Sequence, residues 1–213
     1  MSTEPAPLQS TAMLAGVSGA ALLATGRPVD IAPATSADVD RVRDFYDRLS
    51  DTSTYYRFFG IRRALPEPEL RGMVAQDVPR HVVLLASIDG ELIGIGEFIV
   101  TDNPDQAEVA FAVADDHHRE GVATLLLERL ALVARRCGLQ RLVAQTLPGN
   151  HDMLLVFRTV GLTERAHFDG GVIEVTLDLS TLDHLETEAE HRHRQALQHR
   201  RDDEHRSDRV VAE

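Results

Sequence analysis

The run HHREGVAT over residues 117–124 sets a histidine pair, two opposite charges and a glycine directly ahead of an apolar repeat with helical spacing. A tight loop that opens a helix presents several backbone N–H groups converging on one point, backed by the positive end of the helix dipole, and this suits a phosphate or pyrophosphate. Gly121 would let a ligand approach the backbone without a side chain in the way, and Ala123 is small for the same reason. An ordinary strand-loop-helix connection contains the same residues. The histidines raise a second chemistry, because His117 and His118 stand together and His184, His191, His193, His199 and His205 crowd the C-terminal end. His191 and His193 are two apart and fall on different helix faces, and no cysteine or carboxylate cluster has ligand spacing, so no metal is expected.

The elements that must position such a loop follow from the rest of the pattern. The 213 residues, 43% hydrophobic, suit one domain with a single core. Three segments are expected: a disordered leader over 1–27, a folded domain over 28–182 and a charged tail rich in His, Arg and Glu over 183–213. Met13 to Leu23 is apolar but short and lacks the basic start of a signal peptide. No stretch approaches the roughly 20 apolar residues of a membrane span. A net charge of -12 disfavours nucleic acid and anionic membrane as partners. The lone Cys137 can form no internal disulfide, which fits a reducing cytoplasm.

Val29 to Pro33 reads as a first strand. Thr35-x-x-Asp38 then resembles a helix start, with Val39, Val42, Phe45, Tyr46 and Leu49 repeating at helical spacing. A second, weaker helix is expected after Pro66. His81 to Ile88 and Leu92 to Val100 form a hairpin about Asp89-Gly90. Ala107 to Ala114 is a further strand, and the loop with Gly121 leads into a helix through Leu125, Leu126, Leu130 and Val133. Leu139 to Leu147 is a strand, Asn150 a helix N-cap, and Leu162 to Phe168 and Val172 to Leu179 are closing strands. The result is a mixed α/β layer fold.

That order is similar to the GNAT acetyltransferase fold, and AEVAFAVADDHHREGVATLLLERL over 107–130 resembles the family's acyl-CoA-binding signature. The family pattern of Gln or Arg, two residues, Gly, one residue, then Gly or Ala aligns with His118, Arg119, Glu120, Gly121, Val122 and Ala123. LPGNHDMLLVFRTVG over 147–161 resembles the family's later helix, and LSDTSTYYRFF over 49–59 is similar to the bacterial protein-lysine acetyltransferase branch. That branch often fuses the domain to a synthetase-like or cyclic-nucleotide-binding domain, for which this chain leaves no room. The resemblance implies a mostly antiparallel central sheet with helices on both faces.

It also implies a site. The loop from His118 to Thr124 would hold the CoA pyrophosphate. The backbone of Phe111, Ala112 and Val113, on a strand that splays from its neighbour, would hold the pantetheine arm and thioester. Asn150 would face the CoA arm. Glu108 occupies the position of the branch's catalytic glutamate, where partial burial would raise its pKa toward that of a working base; a solvent-facing strand glutamate would read the same way. The aromatic run Tyr55, Tyr56, Phe58 and Phe59 could line the acceptor groove, with at least two of the four expected in the core.

Several positions depart from the family pattern. Phe157 stands where many members place a tyrosine acid, Glu120 where a basic residue is usual, and Gln145 where the branch tends to have glutamate. A carboxylate beside a pyrophosphate should weaken binding. Two functions are therefore expected from the resemblance. The first is an N-acyltransferase moving an acetyl or related acyl group from acyl-CoA to an amine, with protein lysine the favoured acceptor class. The second is a weakened domain that binds acyl-CoA or a partner as a regulatory module.

Overall fold

Thr35 and Asp38 close the turn that starts the first helix: the Thr35 backbone N–H and hydroxyl both donate to the Asp38 carboxylate, at 2.9 and 2.8 Å. In the computed structural model, which describes residues 13–14, 16–60, 62, 64–182 and 195, this turn leads into α1 (Val39–Arg48). Val42, Phe45 and Tyr46 of α1 are buried at the expected spacing. Four more helices follow, α2 (Asp51–Phe58), α3 (Glu67–Val74), α4 (Val122–Arg136) and α5 (His151–Val160). The strands are β1 (Gly19–Leu22), β2 (Pro28–Pro33), β3 (His81–Ile88), β4 (Glu91–Val100), β5 (Gln106–Val113), β6 (Arg141–Thr146), β7 (Thr163–Asp169) and β8 (Val172–Asp178).

The strands form one sheet in the order β1-β2-β3-β4-β5-β6-β8-β7. Every neighbouring pair is antiparallel except β5 and β6. On one face, α1 and α3 pack Val42, Phe45 and Leu70 against Val83, Leu85 and Ile95. On the other, α4 and α5 pack Leu126, Leu130 and Phe157 against Val82, Phe98 and Val109. The expected mixed sheet with helices on both faces is the architecture found.

Two expectations need correction. The leader expected to be disordered over 1–27 contains β1, which pairs with β2 from Gly19 opposite Ile31 to Leu22 opposite Pro28. Alanine and glycine have weak intrinsic strand preference, so the order of this segment comes from the ladder and from burial of Val17, Ala20, Ala21 and Leu23. Between the two expected helices lies a third, α2, capped by Ser50, whose side chain accepts from the Ser53 N–H at 3.2 Å. The expected tail over 183–213 lies outside the described residues except Gln195.

β4 meets α4 at a narrow place. A Cβ on Gly94 would lie 2.7 Å from Val122, and one on Gly96 would lie 3.1 Å from Leu130 and 3.2 Å from Leu126. Val122, Leu126 and Leu130 recur every fourth residue, so one ridge of α4 rests in a trough made by two glycines of β4.

Candidate active site

β5 and β6 pair over three residues only, Gln106 with Arg141, Ala107 with Leu142 and Glu108 with Val143, although β5 continues to Val113 and β6 to Thr146. Beyond Glu108 the strands part. The opening belongs to a cleft of about 1230 Å³ that reaches both faces of the sheet. On the α4–α5 face its walls include Gly121, Thr124, Asn150, Val156 and Phe157; on the α2 face they include Ser53, Tyr56, Arg57 and Glu108.

The backbone of β5 is arranged for the gap. Ala114 N donates to Ile93 O at 2.9 Å, and β4 and β5 stay in register from Gly94 opposite Val113 to Val100 opposite Ala107. In an antiparallel pair such bonds alternate, so Ala112, Ala110 and Glu108 turn their peptide groups toward β4, while Val113 and Phe111 turn theirs toward the gap. Of the three residues expected to hold a ligand by backbone, Phe111 and Val113 are so placed. Ala112 lines the cleft, but its peptide groups face β4 and its side chain is 7% exposed.

The loop ahead of α4 curls through two left-handed residues, Arg119 with φ 63° and Gly121 with φ 95°. Gly121 is the N-cap and brings no side chain to the first-turn N–H groups of Val122, Ala123 and Thr124, which helix geometry leaves without intrahelical partners. The direction a Gly121 Cβ would take leads to Ala24, 3.7 Å from its Cβ, and not into open space; the glycine is needed foremost for its backbone angle. The Val122 side chain is buried under β4, so its contribution to the cleft is by main chain. His118 turns back, its Nε2 lying 3.0 Å from Val113 O. Ala24 N donates to Glu120 O at 3.1 Å, and Leu22, Leu23, Ala24 and Gly26 join the cleft wall. The segment read as a leader is thus part of the site.

Glu120 is the residue whose expected placement the structure reverses. Its side chain is absent from the cleft wall among the described residues. One carboxylate oxygen lies 2.8 Å from His117 Nδ1, and the other lies 3.9 Å from an Arg27 nitrogen. The Glu120 side chain, 20% exposed, is turned to these two groups and not into the cleft.

Asn150 caps α5, its Oδ1 accepting from the Met153 N–H at 3.2 Å, and lines the cleft. Phe157 is buried to 2% exposure on the same wall. Glu108 is exposed and not partly buried as expected, because its strand neighbour β6 departs there and its partner on β4, Ile99, is itself 49% exposed. Tyr56, Phe58 and Phe59 line the cleft. Tyr55 and Phe59 are exposed, and only Phe58 packs on the core, 5.6 Å from the Tyr46 ring, so fewer of these aromatics belong to the core than expected.

Beneath Glu108 lies a charged group that sequence reasoning missed. Glu97 on β4 is 9% exposed, bonded by Arg57 and lying 2.8 Å from His81 Nε2. Burial alone would raise the Glu97 pKa; the His81 hydrogen bond and the Arg57 charge outweigh it and hold the carboxyl below its ordinary value. Burial opposes the Arg57 charge too, yet Tyr46 and Glu97, with Glu108 contributing, hold its pKa above the usual value. The available signal was a glutamate inside the apolar run Leu92 to Val100, since a buried carboxylate requires a partner.

α2 spans the cleft mouth and is tied at both rims. Ser50 and Ser53 hydroxyls donate to Asp115 at 2.5 and 2.7 Å on the β5 side. The Tyr56 hydroxyl donates to Gly149 O at 3.1 Å on the β6 side.

A profile described as the acetyltransferase (GNAT) family matches residues 41–162. The chain belongs to that family. As a GNAT protein it is an N-acetyltransferase by family, and its fold agrees with the crystal structure of the GNAT domain of S. lividans PAT, at a TM-score of 0.72 and 35% identity over 77% of this chain and 98% of that one. Acetyltransferase PA5475 of Pseudomonas aeruginosa is 30% identical over 132 residues, covering 60% of this chain and 71% of that protein. Acetyltransferase Pat of Mycolicibacterium smegmatis is 28% identical over 172 residues, 78% of this chain but half, 50%, of that longer protein. The fold is shared as well with yncA of Salmonella typhimurium, solved with its cofactor acetyl-CoA, at a TM-score of 0.59 and 20% identity.

Proposed function

We propose that this GNAT domain transfers an acetyl or related acyl group from acyl-CoA to a protein lysine. The observation that carries the reading is the parting of β5 and β6 after Glu108 and Val143, which opens one cleft to both faces of the sheet. The acyl-CoA enters from the α4–α5 face, its pyrophosphate on the first-turn N–H groups after Gly121 and its arm along Phe111 and Val113. Arg119 and His118 flank this path, and Asn150 borders the arm. The acceptor enters from the α2 face, beside Tyr56 and Glu108.

In this arrangement the amine nitrogen attacks the thioester carbonyl carbon and the ammonium proton passes to Glu108 directly or through one water. The carbon–sulfur bond then breaks and CoA leaves as thiolate. Phe157 offers no proton, and solvent protonates the sulfur. The outward turn of Glu120 removes the main ground for reading the domain as a weakened binding module. The segment over 49–59, similar to the bacterial protein-lysine acetyltransferase branch, favours a protein acceptor over a small amine. Thiol release from acetyl-CoA, followed with lysine-containing proteins and a panel of small amines, tests the reading. Release with proteins and acetyl-lysine in their digests is expected; release with small amines alone would replace the acceptor class, and CoA binding without release would favour the module.

A further inference from the structure

α2 forms one wall of the cleft yet has little apolar surface in the core: it buries Thr54 and rests Phe58 on the cluster beneath α1 and α3. Polar ties hold it instead. Those from Ser50 and Ser53 to Asp115 and from Tyr56 to Gly149 O lie at the surface, where such bonds contribute little net stability. The tie from Arg57 is different. Arg57, in the last turn, donates to Glu97 Oε1, the two side chains being 15% and 11% exposed, and the Tyr46 hydroxyl of α1 meets the same guanidinium. His81 Nε2, 2.8 Å from Glu97 Oε2, engages the second oxygen, so the carboxylate has a partner on each side. A buried ion pair is seldom more stabilising than apolar residues of the same volume, although breaking one is costly, so stability alone does not account for this one. Its place in the sheet does. Ile99 stands opposite Glu108 and Glu97 opposite Ala110, so Glu97 and Glu108 are diagonal neighbours on one face of β4 and β5. Arg57 and Glu108 both line the cleft. The tie that joins α2 to the sheet away from water therefore lies beside the carboxylate assigned to the acceptor.

We propose that Arg57 is a positioning residue for the transfer: clamped by Glu97, which His81 holds from the other side, it fixes the end of α2 and Tyr56 relative to Glu108, so that an acceptor amine between them lies within reach of that carboxylate. This rests on the reading that the acceptor enters from the α2 face, and the experiment separates the two. Arg57→Lys keeps a charge beside Glu97 but replaces the planar fork by one ammonium. The double variant Arg57→Met with Glu97→Met removes both charges and fills the space, a change that leaves stability near its starting value when a buried pair is replaced as a whole. On each variant the melting temperature, the calorimetric affinity for CoA and the hydrogen exchange of the α2 amides are measured. Steady-state transfer from acetyl-CoA is followed to poly-L-lysine and to the lysine-containing proteins of the release assay. Both variants should melt within a few degrees of wild type and bind CoA within about twofold. The α2 amides should exchange at least about tenfold faster, as for a helix that opens locally. For whichever acceptor the wild type acetylates, kcat/KM should fall about 10- to 100-fold while the KM for acetyl-CoA holds, the scale of a small misplacement of reacting groups. Unchanged kcat/KM for the acceptor, or unchanged exchange of α2, in both variants would overturn the proposal. So would equal loss of transfer and CoA affinity with a lowered melting temperature, which would make the pair a support of the whole fold. Wild-type protein that acetylates neither poly-L-lysine nor any of the proteins would overturn the acceptor reading itself, and the role of Arg57 with it.

Discussion

Asp115 reaches from the turn after β5 to the first turn of α2, where one carboxylate oxygen accepts the Ser53 hydroxyl at 2.7 Å and the other accepts the Ser50 N–H at 2.9 Å. α2 is thereby fastened to the segment that runs on into the loop before α4. Slight burial pushes the Asp115 pKa up, but the bonds from Ser50 and Ser53 prevail and hold it below the ordinary value. Asp115→Ala should lower stability by about 1–2 kcal/mol, the exposure of the site keeping the loss small. Its kinetic signature should be a higher KM for the acceptor with acyl-CoA affinity nearly kept. Because the folded pKa lies below the unfolded one, the stabilisation is full above pH ~4 and is lost as pH falls through the folded value. Denaturation of both proteins at pH 7 and pH 3 checks the sign: the gap between them should narrow at the lower pH.

Glu108→Gln should lower kcat by roughly 10²- to 10⁴-fold while acyl-CoA affinity stays near wild type, the usual consequence of losing a general base. Steady-state kinetics with calorimetry checks this, and a kcat that survives would give the proton to water. The exposure of Glu108 means the same variant should leave the melting temperature within a degree or two, as for a surface substitution worth under about 0.5 kcal/mol.

Glu120 leads to the opposite expectation from that of its sequence position. With its carboxylate held by His117 and Arg27 and absent from the cleft wall, Glu120→Gln should change acetyl-CoA affinity by no more than about threefold, since a charge already met by its own partners adds little field at the cleft. Calorimetry at two ionic strengths decides it. A tenfold gain at low salt would place the charge beside the phosphates after all.

Deleting residues 1–23 should cost on the order of 3–5 kcal/mol, because buried Val17 and Leu23 and the β1 ladder are lost together. Affinity for acyl-CoA should fall as well, since the β1–β2 turn borders the cleft. Cys137 supplies a chemical reporter. Its Sγ lies 3.7 Å from Met13 Sδ, and burial pushes its pKa up to about 11. The full chain should react slowly with a thiol reagent at pH 8, and the shortened chain faster.

The apolar repeat of α1 was legible because one face of it is buried and periodicity reports burial, whereas α4 and the β3–β4 hairpin, buried nearly all round, were legible as long apolar runs bounded by turn residues. The loop before α4 was legible in type but not in orientation. Which way Glu120 points follows its partners His117 and Arg27, and the loop sequence does not announce the second of them. β1 was hidden because Gly19-Ala-Ala-Leu22 is ordered by its neighbours more than by its own preferences. The network of Arg57, Glu97 and His81 joins residues far apart in sequence, and only the β3–β4 register brings the last two side by side. Glu108 was found by position, whereas its exposure depends on where β6 leaves the sheet.

The two glycines of β4 beneath α4 give the sheet a say in how the front of that helix is seated. Val122, which a Gly94 Cβ would meet at 2.7 Å, is also the first residue of the helix whose opening N–H groups face the cleft. Any side chain at that strand position must displace the Val122 side chain, which sits at the front of the helix. The seat of the front of α4 is thus set from below, by two methyl groups that β4 does not carry.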